Sequence, residues 1–539
     1  MSRWATSRPV PSPAAVADTA NEQLRVALGR PEAYPHHPRL VEVRETHISW
    51  VFLAGEFAYK LKKPLILDFV DYGTAERRRA MCREEVRLNR RLTSDLYLGV
   101  RGVMLTDDGV ALIGEDDPRA VDFLVEMRRY DERQTIASRL QLGELSRGHI
   151  ADVGRALARF HDTARRVAAG RAPVLAAERR FECNLHELLA DVEQRSEIER
   201  IQALERFAHA FIAAHRAMLQ RRAVEGRIRE GHGDLRSEHV LVGTGVQIVD
   251  CVEFDASLRQ LDVADDLAFL VFDLVARGGE RFADELITAY RKAGGDPGDD
   301  QLIAFYATYR ALVRAKVALV RAAQFIPTSS EHGRESALAR DLIGLAERFA
   351  WRARQPLLIV VCGAPASGKS YLAQALAELS GMAHLSSDIT RKQLVGVSST
   401  DRAGAQAYSS DWNARTYSEL GRRAALEIAA RGGALVDATF RHPVDRQAFA
   451  ASFDHAAPVV FIECTAPRAV LFERAARRTR SRYRVSDADP AIVLREREAW
   501  DPLDEVDASA HVALRTDRPT REIVGDVLAL LDRRLLALS

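Results

Sequence analysis

Lysine and cysteine are scarce in this chain of 539 residues. Only seven of its 77 basic residues are lysine, at positions 60, 62, 63, 292, 316, 369 and 392. Arginine supplies the rest, so a lysine is an uncommon choice here and each one merits a chemical reading. The five cysteines, Cys82, Cys183, Cys251, Cys362 and Cys464, stand singly. No CxxC or Cys/His pair has metal spacing, and the odd count suits free thiols in a reducing cytosol. Long apolar runs are missing as well. Stretches such as Pro356–Gly363 fall far short of the ~18 residues needed to span a bilayer, so a membrane role is not expected. Net charge is also missing. Lys+Arg 77 against Asp+Glu 76 leaves +1, which argues against a protein built chiefly to coat nucleic acid. The start of the chain, rich in Pro, Ser and Ala, has no apolar signal-peptide core. Residues 1–19 read as a flexible tail of a cytoplasmic protein.

What remains is ordinary globular material, 47% hydrophobic and 28% charged. At about 100–200 residues per domain, that predicts three or four compact units. Residues 20–130 read as a small mixed lobe. Ile48–Gly55 and Phe57–Pro64 form two strands around a tight turn, the helix Glu76–Leu92 follows, and Val121–Arg128 is a further strand. Residues 131–350 read as mostly helical, interrupted by one β-rich stretch, His239–Phe254. Near 351 the pattern changes. Apolar strands at Leu357–Cys362, Ala434–Asp437 and Val459–Cys464 alternate with helices, which indicates a parallel α/β sheet over 355–539.

That last region opens on Gly363-Ala364-Pro365-Ala366-Ser367-Gly368-Lys369-Ser370, which fits G-x-x-x-x-G-K-[ST] at every fixed position. A buried-type strand precedes it and a helix beginning near Tyr371 follows. Its glycines let backbone N–H groups turn inward around phosphates. Lys369 can reach the β/γ oxygens and Ser370 can ligate Mg²⁺. Three more features turn nucleotide binding into a kinase. Asp388 can take the proton of an attacking hydroxyl. Asp437, ending an apolar strand, can hold Mg²⁺ or its water. Arg474, Arg477 and Arg478 share a helix from which a guanidinium can neutralise the transferring phosphoryl group. ATP and Mg²⁺ are the cofactors expected.

A second constellation lies upstream. His232-Gly233-Asp234-Leu235 is followed by Arg236, Glu238 and His239, then an apolar strand, and Asp250 ends the next strand. A phosphotransferase needs one carboxylate to orient the acceptor hydroxyl and another to hold the metal, and Asp234 and Asp250 supply the pair. Lys60 and Lys62 share one face of a strand, since strand side chains alternate.

The residues 355–539 resemble small P-loop kinases, the group of gluconate kinase, zeta toxins and the kinase head of polynucleotide kinase. The matching stretches are GAPASGKS, SSDITRKQLVG, VDATF, RAARR and Val485–Ala488. HGDL with the later Asp250 resembles the aminoglycoside phosphotransferase branch of the protein-kinase-like fold. The two in this order resemble a bacterial family of bifunctional proteins, supported by Tyr59–Pro64, Leu88–Leu92 and Tyr97–Gly99. The resemblance implies a bilobal kinase-like domain followed by a P-loop domain. It implies Asp234 and Asp388 as catalytic aspartates, with Lys369, Arg474 and Arg478 beside them. Gly363 to Tyr371 would hold ATP in the second head. In the first, Lys60, favoured over Lys62, would contact ATP with Glu85 as its partner. Asp250, His239, Ser370 and Asp437 would face metal. His239 stands where the family pattern has Asn, and a hard cation prefers oxygen; Glu238 or Glu253 could compensate. The reading is a phosphotransferase with two heads, each phosphorylating a small-molecule hydroxyl. Two alternatives stay open. The first head could be a weak ligand sensor that gates the second. The second head could be a polynucleotide or nucleotide-sugar kinase, a reading favoured by the arginines from Arg474 to Arg484.

Overall fold

A computed structural model describes residues 22–67, 70–167, 173–192, 194–398, 401, 403–453, 457–479 and 500–537. The expected tail and the Val485–Ala488 stretch lie outside them. The chain divides into two compact units, Met1–Gly170 with Arg222–Pro297, and Arg171–Arg221 with Gly298–Ser539. The fold class is a kinase-like bilobal domain joined to a P-loop domain with a parallel sheet. Among the described residues no helix is long and apolar enough to cross a membrane.

The first unit begins with six antiparallel strands: β1 Val41–Glu45, β2 Ser49–Ala54, β3 Phe57–Lys62, β4 Tyr97–Thr106, β5 Gly109–Gly114 and β6 Asp122–Arg128. Their order across the sheet is β1-β2-β3-β6-β4-β5. Gly55, at φ +63°, allows the two-residue β2–β3 turn. Alternation splits the strands between two cores. Phe52, Tyr59, Leu61 and Leu124 pack with Leu28 and Tyr34 on one face. Leu53, Ala58, Phe123 and Val125 pack on the other with Cys82 and Val86 of the helix Ala75–Asn89. That helix is capped by the Thr74 hydroxyl. Arg78 locks its rotation through a buried two-pronged pair with Asp122, at 2.9 and 2.8 Å. The helical phase then turns Glu85, seven residues on, into the same buried side.

Glu230 draws the small lobe to the larger one. Arg87, Arg165 and Arg259 reach its carboxylate at 3.3, 3.2 and 3.4 Å. Burial alone would raise this carboxyl, but Arg165, Arg87 and Arg91 outweigh it and hold it at about 2. A carboxyl depressed in the folded state contributes stability that is present above its unfolded value, about 4.3. That contribution is lost as pH falls through the folded value. Glu230→Gln is therefore expected to flatten the acid loss of stability between about pH 4.5 and 2. Urea midpoints across that window check it, and curves parallel to wild type would refute it.

The second unit is built on five parallel strands: β7 Leu357–Cys362, β8 Ala383–Ser386, β9 Gly433–Asp437, β10 Val459–Thr465 and β11 His511–Arg515. Their order is β8-β9-β7-β10-β11. The chain leaves β7 for strands on both sides of it, so the crevice at its carboxyl end is the switch point where such sheets bind ligands. β7 is buried on both faces, which explains its unbroken apolar run. Leu357, Ile359 and Val361 pack with Trp351, Val527 and Leu531. Leu358, Val360 and Cys362 pack with Tyr417, Leu420 and Ile428. Cys464 lies in the first of these cores and Cys362 in the second. The sheet separates the two thiols, consistent with free cysteines.

The helices Pro173–Ala190, Arg195–Ala214, Asp300–Ala322 and Ser330–Arg352 belong to this unit. Phe305 stacks on Phe181 and Phe211 at 5.4 and 4.3 Å. The helix Arg195–Ala214 also packs against the last helix, Thr520–Ala537. At that seam Arg354 pairs with Asp532, at 2.9 and 2.5 Å, and lies over the Phe207 ring. The pair is buried, so removing one partner strands the other charge. Asp532→Ala is expected to cost about 3–5 kcal/mol, read from the urea midpoint; a change under about 1 kcal/mol would contradict the buried pair.

Candidate functional site

In the first unit Lys60 and Lys62 both reach Glu85, at 3.0 and 2.6 Å, and then part ways. The Lys60 ammonium also lies 2.7 Å from Asp250 Oδ1. Lys62 is 0% exposed and pairs instead with Glu253, whose Oε1 accepts the Tyr72 hydroxyl at 2.7 Å. Only Lys60 lines the cleft, a cavity of about 1210 Å³. Its apolar lining includes Val51, Ala58, Met127 and Val249, and its polar lining includes Lys60, His239 and Asp250.

Asp250 has φ +64°, a conformation an L-residue holds only when its surroundings impose it. Its N–H donates to the Tyr97 hydroxyl at 3.2 Å. Burial would raise the Asp250 carboxyl, but Lys60 and His239 outweigh that and hold it far below the usual carboxylate range. Asp234 lies on the loop that leads to His239, its carbonyl oxygen 2.9 Å from His239 Nδ1. Its carboxylate accepts from Arg236 Nε at 3.0 and 3.1 Å and from Nη2 at 2.9 Å. Asp266 holds this loop by accepting the His232 and Gly233 N–H groups at 2.7 and 3.0 Å. Gly233 has φ +87°, and a Cβ there would meet the Leu258 carbonyl oxygen at 3.0 Å. His161 contacts Asp266 at 3.2 Å and the Tyr290 hydroxyl at 2.8 Å. Asp266 and Arg236 thus shape the site; Arg236 sits within the motif that follows Asp234, but its pairing with Asp234 and the hold of Asp266 on the loop are not encoded there.

In the second unit the cradle follows β7 directly. Gly363, Ala366 and Gly368 take φ of +132°, +65° and +97°. A Cβ on Gly363 would lie 2.4 Å from the Cys464 carbonyl oxygen, so the turn requires glycine. Lys369 Nζ donates to the Ala364 carbonyl at 3.2 Å. The Ser367 hydroxyl is buried without a hydrogen-bond partner. Ser370 stands beside Asp437 and helps lower its carboxyl, and His384 lies 3.7 Å from Asp437. The two carboxylates beside the cradle are driven in opposite directions. Burial raises Asp388, with Lys369 opposing and Asp437 adding to it. Burial would also raise Asp437, but His384, Lys369 and Ser370 reverse it. Such a split suits a proton acceptor beside a permanently ionised metal ligand.

Arg474 faces the cradle from the helix Arg468–Thr479. It donates to the Thr516 carbonyl and hydroxyl at 2.7 and 3.1 Å and to the Ser367 carbonyl at 3.4 Å. It therefore straps the cradle to Thr516, a residue that no motif marks. The side chain of Arg478 and the arginines from 480 to 484 lie outside the described residues. Tyr371 is 69% exposed. It borders a second cavity of about 370 Å³ with Gly368, Leu372, Arg474, Arg477 and Thr516.

The fold and the two sites define a protein that joins an aminoglycoside-phosphotransferase-type domain to a P-loop domain. The family model described as the phosphotransferase enzyme family (APH) matches residues 82–305, and one described as an AAA domain (AAA_33) matches 358–503. The chain is 33% identical over 478 residues to an uncharacterized protein of Mycobacterium tuberculosis, covering 87% of this chain and 92% of that one. It belongs to that protein's family. Among solved structures, a gluconokinase from Sinorhizobium meliloti 1021 is 26% identical, over 34% of this chain and 97% of its own, with a TM-score of 0.26. A choline/ethanolamine kinase family protein from Mesorhizobium loti is 15% identical, over 61% and 94%, with a TM-score of 0.35. Both matched families support phosphotransferase activity with use of ATP.

Proposed function

We propose that the protein carries two separate ATP sites, one in each compact unit, and that each transfers the γ-phosphoryl group to a hydroxyl of a small molecule. The observation that carries this is the meeting of Lys60 with Glu85 and Asp250 beside one cleft, matched in the other unit by the glycine turn that leads into Lys369 and Ser370. In the first head Lys60 contacts the ATP phosphates and Asp234 orients the acceptor hydroxyl. In the second, the cradle from Gly363 to Ser370 binds the phosphates, Tyr371 borders the nucleoside and Asp388 takes the hydroxyl proton. Arg474 holds the cradle in shape. Asp250 in the first head, and Ser370 with Asp437 in the second, offer the hard oxygens that suit Mg²⁺. When bound, Mg²⁺ would neutralise charge on the phosphates.

Mass spectrometry and ³¹P spectra of products formed from MgATP and a metabolite extract test the acceptor class. The expected products are acid-stable phosphate esters. Phosphoramidates or acyl phosphates alone would contradict a hydroxyl acceptor. A second reading draws on Arg236, which already ion-pairs with Asp234, and on His239. In it the first head senses a ligand without turnover and regulates the second.

A further inference from the structure

We propose that the first head works with one divalent cation, at Asp250, and that the Arg236 guanidinium occupies the place of a second. This rests on the reading of that cleft as an ATP site. The observation behind it is the set of bonds around Arg236. His239 Nδ1 lies 2.9 Å from the Asp234 carbonyl oxygen, which can only accept, so Nδ1 carries a proton. Arg236 Nη2 lies 3.1 Å from His239 Nε2, and a guanidinium can only donate, so the Nε2 lone pair is already engaged. Arg236 also takes both carboxylate oxygens of Asp234 and pairs with Glu238. Asp234, Glu238 and His239 are thus gathered around one positive charge.

Arg236 is well placed for that task, with its side chain only 13% exposed. A guanidinium keeps its charge at any working pH and presents a fixed fork of donors. A second divalent ion among the same ligands would sit against it, and like charges at that distance repel strongly in a cleft partly screened from water. Asp250 differs. One of its oxygens faces Lys60, the other is 3.7 Å from His239 Nε2, and the side chain is 46% exposed. It keeps a hard oxygen open to a cation.

The test counts Mn²⁺ bound per full-length chain by electron paramagnetic resonance, with a non-hydrolysable ATP analogue saturating both heads. Calorimetry counts the nucleotide in parallel. Wild type is expected to hold two nucleotide-dependent ions, one per head, and Asp250→Asn to hold one. Arg236→Gln is expected to gain an ion and reach three, while Arg236→Lys, which keeps the charge, stays at two. Three ions in wild type, or two in Arg236→Gln with both nucleotides bound, would overturn the inference. A single nucleotide per chain, with Asp250→Asn unchanged from wild type, would instead remove the ATP reading of the cleft and the inference with it.

Discussion

Replacing Lys369 with Ala is expected to silence the second head and leave the first at wild-type rate. In the proposed second head the lysine would face the phosphates, and its charge has no substitute within the loop. Arg474 is committed to Ser367 and Thr516. Losing one such electrostatic contact costs about 10²–10³ in turnover, and losing a full charge is expected to cost at least that. The fold should survive. In the free protein Lys369 Nζ donates to the Ala364 carbonyl, and its charge also offsets the burial of Asp388 and Asp437, so a modest loss of stability is expected beside the lost turnover. ADP release by Lys369→Ala in an Asp234→Ala background isolates the second head, and a residual rate within tenfold of Asp234→Ala alone would refute the assignment.

The second large effect is expected from Asp234→Ala. A positioned base contributes about 10²–10⁴ to rate, so first-head turnover should fall by that factor. Stability should change little, because Arg236 retains Glu238 and His239 as partners. Asp266→Ala makes the contrast. It removes the carboxylate that accepts from two buried N–H groups of the loop, so it should lower the melting temperature as well as the rate. If Asp234→Ala behaved like Asp266→Ala, Asp234 would be a structural residue. The two changes together separate a group that touches the reacting hydroxyl from one that positions the loop.

How far residues reveal such roles depends on where their partners lie. The cradle is local: its glycines, its lysine and the strand before it are contiguous, so its conformation follows from eight neighbouring residues. β3 is also legible, because alternation alone places Lys60 and Lys62 on one face. Alternation does not say which lysine faces the cleft. That is settled by Asp250 and Glu253, nearly two hundred residues away, each claiming one of them. Arg474 shows the same limit. On a helix, an arginine that faces solvent and one that straps two carbonyls have the same sequence signature. The helices of 173–214 and 300–352 are legible as helices from their 3.6-residue period. Their membership in the second unit rests on Phe305, Arg354 and Asp532, whose contacts no periodicity encodes.

The most direct test of the account is MgATP-dependent ADP release with a pooled metabolite extract, compared among wild type, Asp234→Ala, Lys369→Ala and the double variant. Two independent phosphotransferases predict that each single variant keeps part of the wild-type rate, that the two parts sum to it, and that the double variant is silent. If Lys369→Ala alone were silent while Asp234→Ala matched wild type, the chain would hold one working kinase, and the two-headed account would be wrong.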